Sequence, residues 1–290
     1  MVSSSDSWAK FVPGPDAVPP IFQVDFRQDG KFPYTIYHPV NDIGHQRTNA
    51  KLICLYEDKL TIIENIDEKK TDIITFQLKD TDYLTQGRIL LSSWISIFFT
   101  VDQTPKSTTI LFNTAVDTLF TPIVLALRQA MTANVITNTS GKGAERSELD
   151  DLRDANFKFF SYASTVLLQK QSVLQSVYQP AIEDPLLAVF RNLHTPDHLV
   201  ILTDSEFILM EDADSTRKMP QGSPPYGIIC SYLPLQGIRH VDVRAVDGAQ
   251  LISFSLTLPH DEIHLPFAKR QEPDLIRLKA RLEEAVRARS

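Results

Sequence analysis

Apolar and polar residues alternate most regularly from Leu251 to Leu258, where Ile252, Phe254, Leu256 and Leu258 are separated by Ser253, Ser255 and Thr257. A period of two puts the apolar set on one face of a β-strand, with the serines and the threonine on the other. Shorter β-branched or aromatic runs, each bounded by polar residues, precede it at 173–178, 186–190, 199–202, 207–210, 226–233 and 238–243, and 263–267 follows. The first half repeats the pattern at 52–56, 60–63, 73–76, 89–91, 94–99 and 108–112. Such runs predict antiparallel strands joined by tight connections. A further hairpin is expected between Ile21 and Tyr37, with Asp29 and Gly30 at its turn.

Each set of strands gives way to a different period. Phe120, Ile123, Val124, Leu127 and Met131 fall on one stripe of a helix, which Thr121 and Pro122 would open as N-cap and first residue. Leu275, Leu278, Leu282 and Val286 form a second stripe in a helix starting near Pro273. Glu272 and Asp274 at its beginning and Arg287 and Arg289 at its end match the helix dipole. Between the two sets, Glu148 to Gln171 predicts a connecting helix. The chain therefore divides into a flexible Ser- and Pro-rich leader (1–20), a first domain (21–133), a linker and connecting helix (134–171), and a second domain (172–290).

The expected fold class is mainly β with α, in two similar units. The runs Leu202 to Leu209, Tyr226 to Ile229 and Tyr232 to Ile238 resemble the hairpin and following strand of bacterial pleckstrin-homology-like (PH-like) and GRAM-like proteins. Leu55 to Ile63, with the helix that closes the first unit, is a looser match. The resemblance spans roughly residues 45–133 and 172–288. It implies two tandem bent antiparallel sheets or barrels, each plugged by its C-terminal amphipathic helix.

Composition narrows the function classes. Hydrophobic residues make up 43% of the 290, enough for a globular core, while 29 Lys and Arg against 36 Asp and Glu leave a net charge of -7. A bulk-positive nucleic-acid binder is thereby disfavoured, and no nucleic-acid partner is expected. The N-terminal residues show no secretory pattern and no apolar run is long enough to span a bilayer, so a cytoplasmic location is expected. Cys54 and Cys230, in separate apolar runs without nearby ligand residues, are expected to be buried and reduced.

Chemical signals are sparse. Resemblance to phosphoinositide-binding PH domains makes paired cations worth weighing, and Arg217 with Lys218 is the candidate anion-binding pair. Asp212 and Asp214 precede it, so a solvated loop is the plainer alternative, as it is for Lys269–Arg270 and Lys69–Lys70. His260, Glu262 and His264 would share one face of an extended strand and could offer three ligands to a metal, but the order lacks the H-E-x-x-H spacing. Gly141-Lys142-Gly143 lacks phosphate-loop spacing, and no nucleophile elbow or dinucleotide fingerprint occurs.

The expectation is a non-enzymatic scaffold that binds a protein partner through tandem PH-like domains, with no cofactor. Anionic-lipid or membrane-surface binding through Arg217 and Lys218 is the first alternative, and metal binding through His260, Glu262 and His264 the second. Exposed strand edges also make a homo-oligomer compatible with the sequence.

Overall fold

In a computed structural model, residues 8–27, 30–43, 46–67, 70–132, 149–169, 171–182, 195–213, 227–246 and 250–289 are described. The molecule is mainly β, with antiparallel sheets and a few helices, and among the described residues no sheet closes into a barrel. It divides into two compact units: unit 1 holds residues 1–81 and 88–131, and unit 2 holds 82–87 and 132–290. Residues 82–87, inside the expected first domain, thus belong with unit 2. The expected linker at 134–147 and strand at 186–190 lie outside the described residues.

Unit 1 is built on a five-stranded sheet in the order β1 (Lys10–Val12), β2 (Tyr34–His38), β5 (Lys51–Leu55), β6 (Lys59–Asp67) and β7 (Lys70–Gln77). The register aligns Phe11, Ile36, Ile53, Ile62 and Ile74 across it. β3 (Asn41–Ile43) and β4 (Gln46–Thr48) form a small separate pair. After β8 (Thr81–Ile89), the long hairpin of β9 (Ser92–Val101) and β10 (Thr104–Asn113) turns at Asp102 and Gln103, both at positive φ. Helix α1 (Asp117–Thr132) then buries the expected stripe, Phe120, Ile123, Val124, Leu127 and Met131. Phe120 stacks on Phe112 of β10 with centroids 3.8 Å apart, and Phe76 stacks on Phe99 at 4.0 Å.

Three local expectations are corrected here. The supposed flexible leader contributes β1 to the sheet, and its Val12 and Val18 join Phe22, Leu52, Cys54 and Ile63 in one core cluster. Its prolines initiate structure: Pro15 and Pro20 open single 3-10 turns, where a fixed φ and a missing N–H are tolerated. The expected hairpin strand around Val24 is instead a turn after Pro20–Phe22. Helix α1 begins five residues before Pro122, because Asn113 accepts the Ala115 N–H at 2.9 Å and a 3-10 turn over Thr114–Val116 winds the chain in advance.

Unit 2 opens with two short helices, α2 (Asp150–Ala155) and α3 (Phe157–Val166), where one connecting helix was expected. Asn156 adopts an extended conformation between them and caps α3 by accepting the Phe159 N–H at 3.2 Å. Four strands follow as neighbours, β11 (Val173–Gln179), β12 (His198–Thr203), β13 (Glu206–Asp212) and β14 (Gly227–Pro234). A three-stranded sheet of β15 (His240–Ala245), β16 (Leu251–Thr257) and β17 (Glu262–Ala268) precedes the last helix, α4 (Glu272–Arg287). Alternation along β16 is as expected, with Ile252, Phe254 and Leu256 fully buried. On α4, Leu275, Leu278 and Leu282 are fully buried. The two cysteines are buried.

The β12–β13 turn is held by a closed polar network. The Thr203 hydroxyl donates to the Glu206 carbonyl at 2.7 Å and accepts the Glu206 N–H at 2.9 Å. The Gln171 amide donates to Thr203, Ser205 and Glu206 side-chain oxygens, all within 3.0 Å. Glu206, fully buried, is thereby satisfied as a buried polar group must be.

Candidate functional site

The sequence-expected sites are dispersed or not described. Arg217 and Lys218 lie outside the described residues, as does Lys69. His260 sits in the exposed turn before β17, while Glu262 and His264 are on β17 itself. His264 already faces Ser255 Oγ through Nδ1 at 2.9 Å and Glu262 through Nε2 at 3.5 Å. Among the described residues, no three His, Cys, Asp or Glu side chains are placed to hold a metal ion, so the triad weighed as the second alternative is not assembled.

Unit 2 instead presents a groove of about 770 Å³ between β11, α2 and the first half of α4. Strand β11 ends its sheet, so one of its edges runs along the groove floor. Side chains from the α4 region cover parts of this edge: Arg281 donates to the Leu174 carbonyl, and Gln271 Nε2 donates to the Tyr178 carbonyl at 3.0 Å. Capping of edge carbonyls by side chains discourages indiscriminate strand pairing. Gln175 fixes the strand to the helix start by donating from Nε2 to the Asp274 carbonyl at 3.0 Å, and Ala268 N–H donates to Gln179 Oε1 at 2.8 Å.

The segment joining α2, which lines the groove, to α3 is positioned through Tyr178. Its hydroxyl accepts from Asn156 Nδ2 at 2.8 Å and its ring lies 5.6 Å from that of Phe159. Burial raises the Tyr178 pKa above the ordinary tyrosine value, so the phenol stays protonated and neutral. Thus the residue that caps α3 also anchors the strand lining the groove.

Charge on the groove is uneven. Arg277 is paired with Asp274 one helical turn away, and Arg281 is committed to a backbone carbonyl. Arg270, exposed in the 3-10 turn just before α4, has no hydrogen bond or ion pair among the described residues. Asp151 on α2 is the remaining anion of the lining. A guanidinium held at the rim without a partner can give a bidentate contact to a carboxylate or phosphate.

Sequence reasoning weighed Arg270 only as half of a solvated cation pair and did not single out Gln175, Tyr178, Arg277 or Arg281. One signal was available: Arg277 and Arg281 are four residues apart, hence on one helix face, away from the leucine stripe. What it lacked was the edge strand opposite them, about a hundred residues earlier. No protein-family model matches the chain, and no curated protein matches it.

Proposed function

We propose that this protein is a non-enzymatic, cytoplasmic interaction scaffold of two PH-like domains, which binds a protein partner in the groove of unit 2. The groove between β11, α2 and α4 carries the reading: a structured concavity, floored by a strand edge, whose rim holds the uncommitted guanidinium of Arg270. An extended segment of a partner, bearing a carboxylate for Arg270, fits its form and charge. The PH-like assignment is supported by chain order. In unit 2, four strands (β11–β14), three strands (β15–β17) and then a buried-stripe helix follow one another. Earlier in the chain the strands β1–β10 are likewise followed by a single buried-stripe helix, α1.

Cross-linking and affinity capture with the full chain test this reading. A specific protein partner should be retained by the native chain and lost about tenfold or more with Arg270→Glu. Capture of no specific protein, or equal capture by both, would sink the proposal. Anionic lipid remains the competing occupant because a lipid phosphate offers a guanidinium the same chemistry. Flotation with phosphatidylserine vesicles separates the two: Arg270-dependent flotation would assign the groove to a membrane surface instead. Among the described residues no helix is long and apolar enough to cross a membrane.

A further inference from the structure

In unit 1, β7 pairs antiparallel with β6 and ends the five-stranded sheet. Successive residues of a strand direct their N–H and C=O groups alternately to its two sides. On β6 the neighbours show which side each residue takes. Tyr56 N–H donates to the Lys59 carbonyl and Asn65 N–H to the Ala50 carbonyl, both at 2.9 Å, so odd-numbered β6 residues bond toward β5 and even-numbered ones toward β7. Leu78 N–H, donating to the Asp58 carbonyl at 2.8 Å, continues the even series. By register, Asp72, Ile74 and Phe76 therefore bond inward to β6. Thr71, Ile73 and Thr75 turn their N–H and C=O groups to the open edge, where no hydrogen bond from a described residue reaches them.

Sheet edges are normally blunted against stray pairing. β10 carries Pro105, β17 carries Pro266, and Arg281 and Gln271 cover carbonyls of β11. β1, at the other end of the same sheet, has only three residues. β7 has eight residues, no proline, two charges that cancel (Lys70 and Asp72), and Ile73, 49% exposed, near its middle. Ile73 and Thr75 also line a groove of about 300 Å³, together with the buried Ile63 and with Val24, which is 90% exposed. Arg27 and Lys59 line it as cations and Asp25 as the one anion. Tyr56 holds both cations in place: its hydroxyl donates to the Arg27 carbonyl at 3.2 Å, and its ring centre lies 4.8 Å from the Lys59 ammonium. The edge is thus bordered by local positive charge in a chain of net charge -7.

We propose that β7 accepts an extended segment of a partner protein, which adds to the sheet as its next strand, with an apolar residue against Ile73 and an acidic residue beside Lys59 and Arg27. Backbone groups spaced along a strand edge are matched in full only by another strand, which settles the form of the occupant. Its side chains follow from the groove: the residues paired with Ile73 and Thr75 lie on the groove face with Val24 and Ile63, and the residue paired with Gln77 lies at the end where Lys59 is Gln77's partner on β6. A second copy of β7 is the wrong occupant. It would bring Thr71, Ile73, Thr75 and Gln77 to that face, none of them acidic, on a chain of the same net charge. This site is independent of Arg270 and of the groove in unit 2.

The probe is the capped peptide Glu-Thr-Val-Thr-Val-Lys-Thr, which laid antiparallel on β7 sets its second Val against Ile73, its Lys against Asp72 and its Glu at the Gln77 end. The full chain should bind it with a Kd of about 50–500 µM. Amide exchange read by NMR should show the Thr71, Ile73 and Thr75 amides unprotected in the free chain and slowed about tenfold or more with the peptide bound. Ile73→Pro removes an edge donor that β6 does not use, a place where proline is tolerated, so the variant should fold and yet bind about tenfold more weakly. Should it fail to fold, N-methylation of the peptide's second Val tests the same hydrogen bond on the native chain and should cost as much. Replacing the peptide's Glu by Lys should weaken binding about threefold or more. No binding at about 1 mM peptide overturns the proposal, as does binding that leaves those three amides unprotected or ignores the N-methyl group. Equal affinity for the Lys peptide removes the acidic requirement and with it the stated partner. Self-association of the native chain that Ile73→Pro abolishes would give the edge to a second copy instead, and overturn it too.

Discussion

Leu278→Ala is expected to destabilise unit 2 by about 2–5 kcal/mol, the loss seen when a fully enclosed leucine is cut back and its cavity only partly collapses. Leu278 is the middle member of the buried α4 stripe, with Leu275 one turn before it and Leu282 one turn after. Urea unfolding of the full chain measures the change. Two substitutions bracket it: Leu278→Met, which conserves volume, should lose less than about 1.5 kcal/mol. Ile276→Ala, on the exposed face of the same helix, should change stability by about 0.5 kcal/mol or less. If Leu278→Ala behaves like Ile276→Ala, the helix does not close the core in the way described.

The second large effect is on pH. His38 on β2 is 1% exposed, its Nδ1 has no hydrogen-bond partner, and the register places it opposite Lys51 on β5. Lys51 in turn faces Glu64 on β6 and pairs with it at 2.5 Å. Burial above all, and then the Lys51 charge, lowers the His38 pKa from 6.5 to about 4. The unfolded chain therefore takes up a proton below pH 6.5 that the native chain refuses until about pH 4. Stability from this group is complete above the unfolded value, falls as pH drops through that window, and is lost by about 3 kcal/mol at its lower end. His198 in unit 2, also buried and with its pKa lowered by desolvation, acts in the same direction. Comparing His38→Gln with the native chain isolates the contribution of His38. The variant should unfold less steeply with acidification between pH 6.5 and pH 4, and parallel curves would show that His38 protonates freely in the folded state.

The residues that announced themselves in the sequence were those whose period matched one buried face. The α4 leucines and the β16 alternation are of this kind, since a single side of each element meets the core. β8 stayed hidden because it buries Thr81 and Gly87 alongside Tyr83, Leu84 and Ile89, so apolar and buried positions do not coincide. β1 was hidden differently: three residues are too few to show a period, and the neighbouring prolines suggested disorder where they in fact begin tight turns. The groove was the least legible feature. Its edge strand contributes largely through backbone carbonyls, which every sequence has, and the side chains that meet them come from a helix distant along the chain.

Both native thiols lie within strands of the core. Cys54 is fully buried, its pKa pushed up by burial to about 12, and Cys230 is 4% exposed. Cys54 thiolate, the reactive form, is therefore scarce at neutral pH, and reagents have little access to either sulfur. Maleimide dyes should leave the folded native chain unlabelled, so a cysteine introduced at a chosen surface position can carry a fluorophore or spin label without first replacing the natural pair.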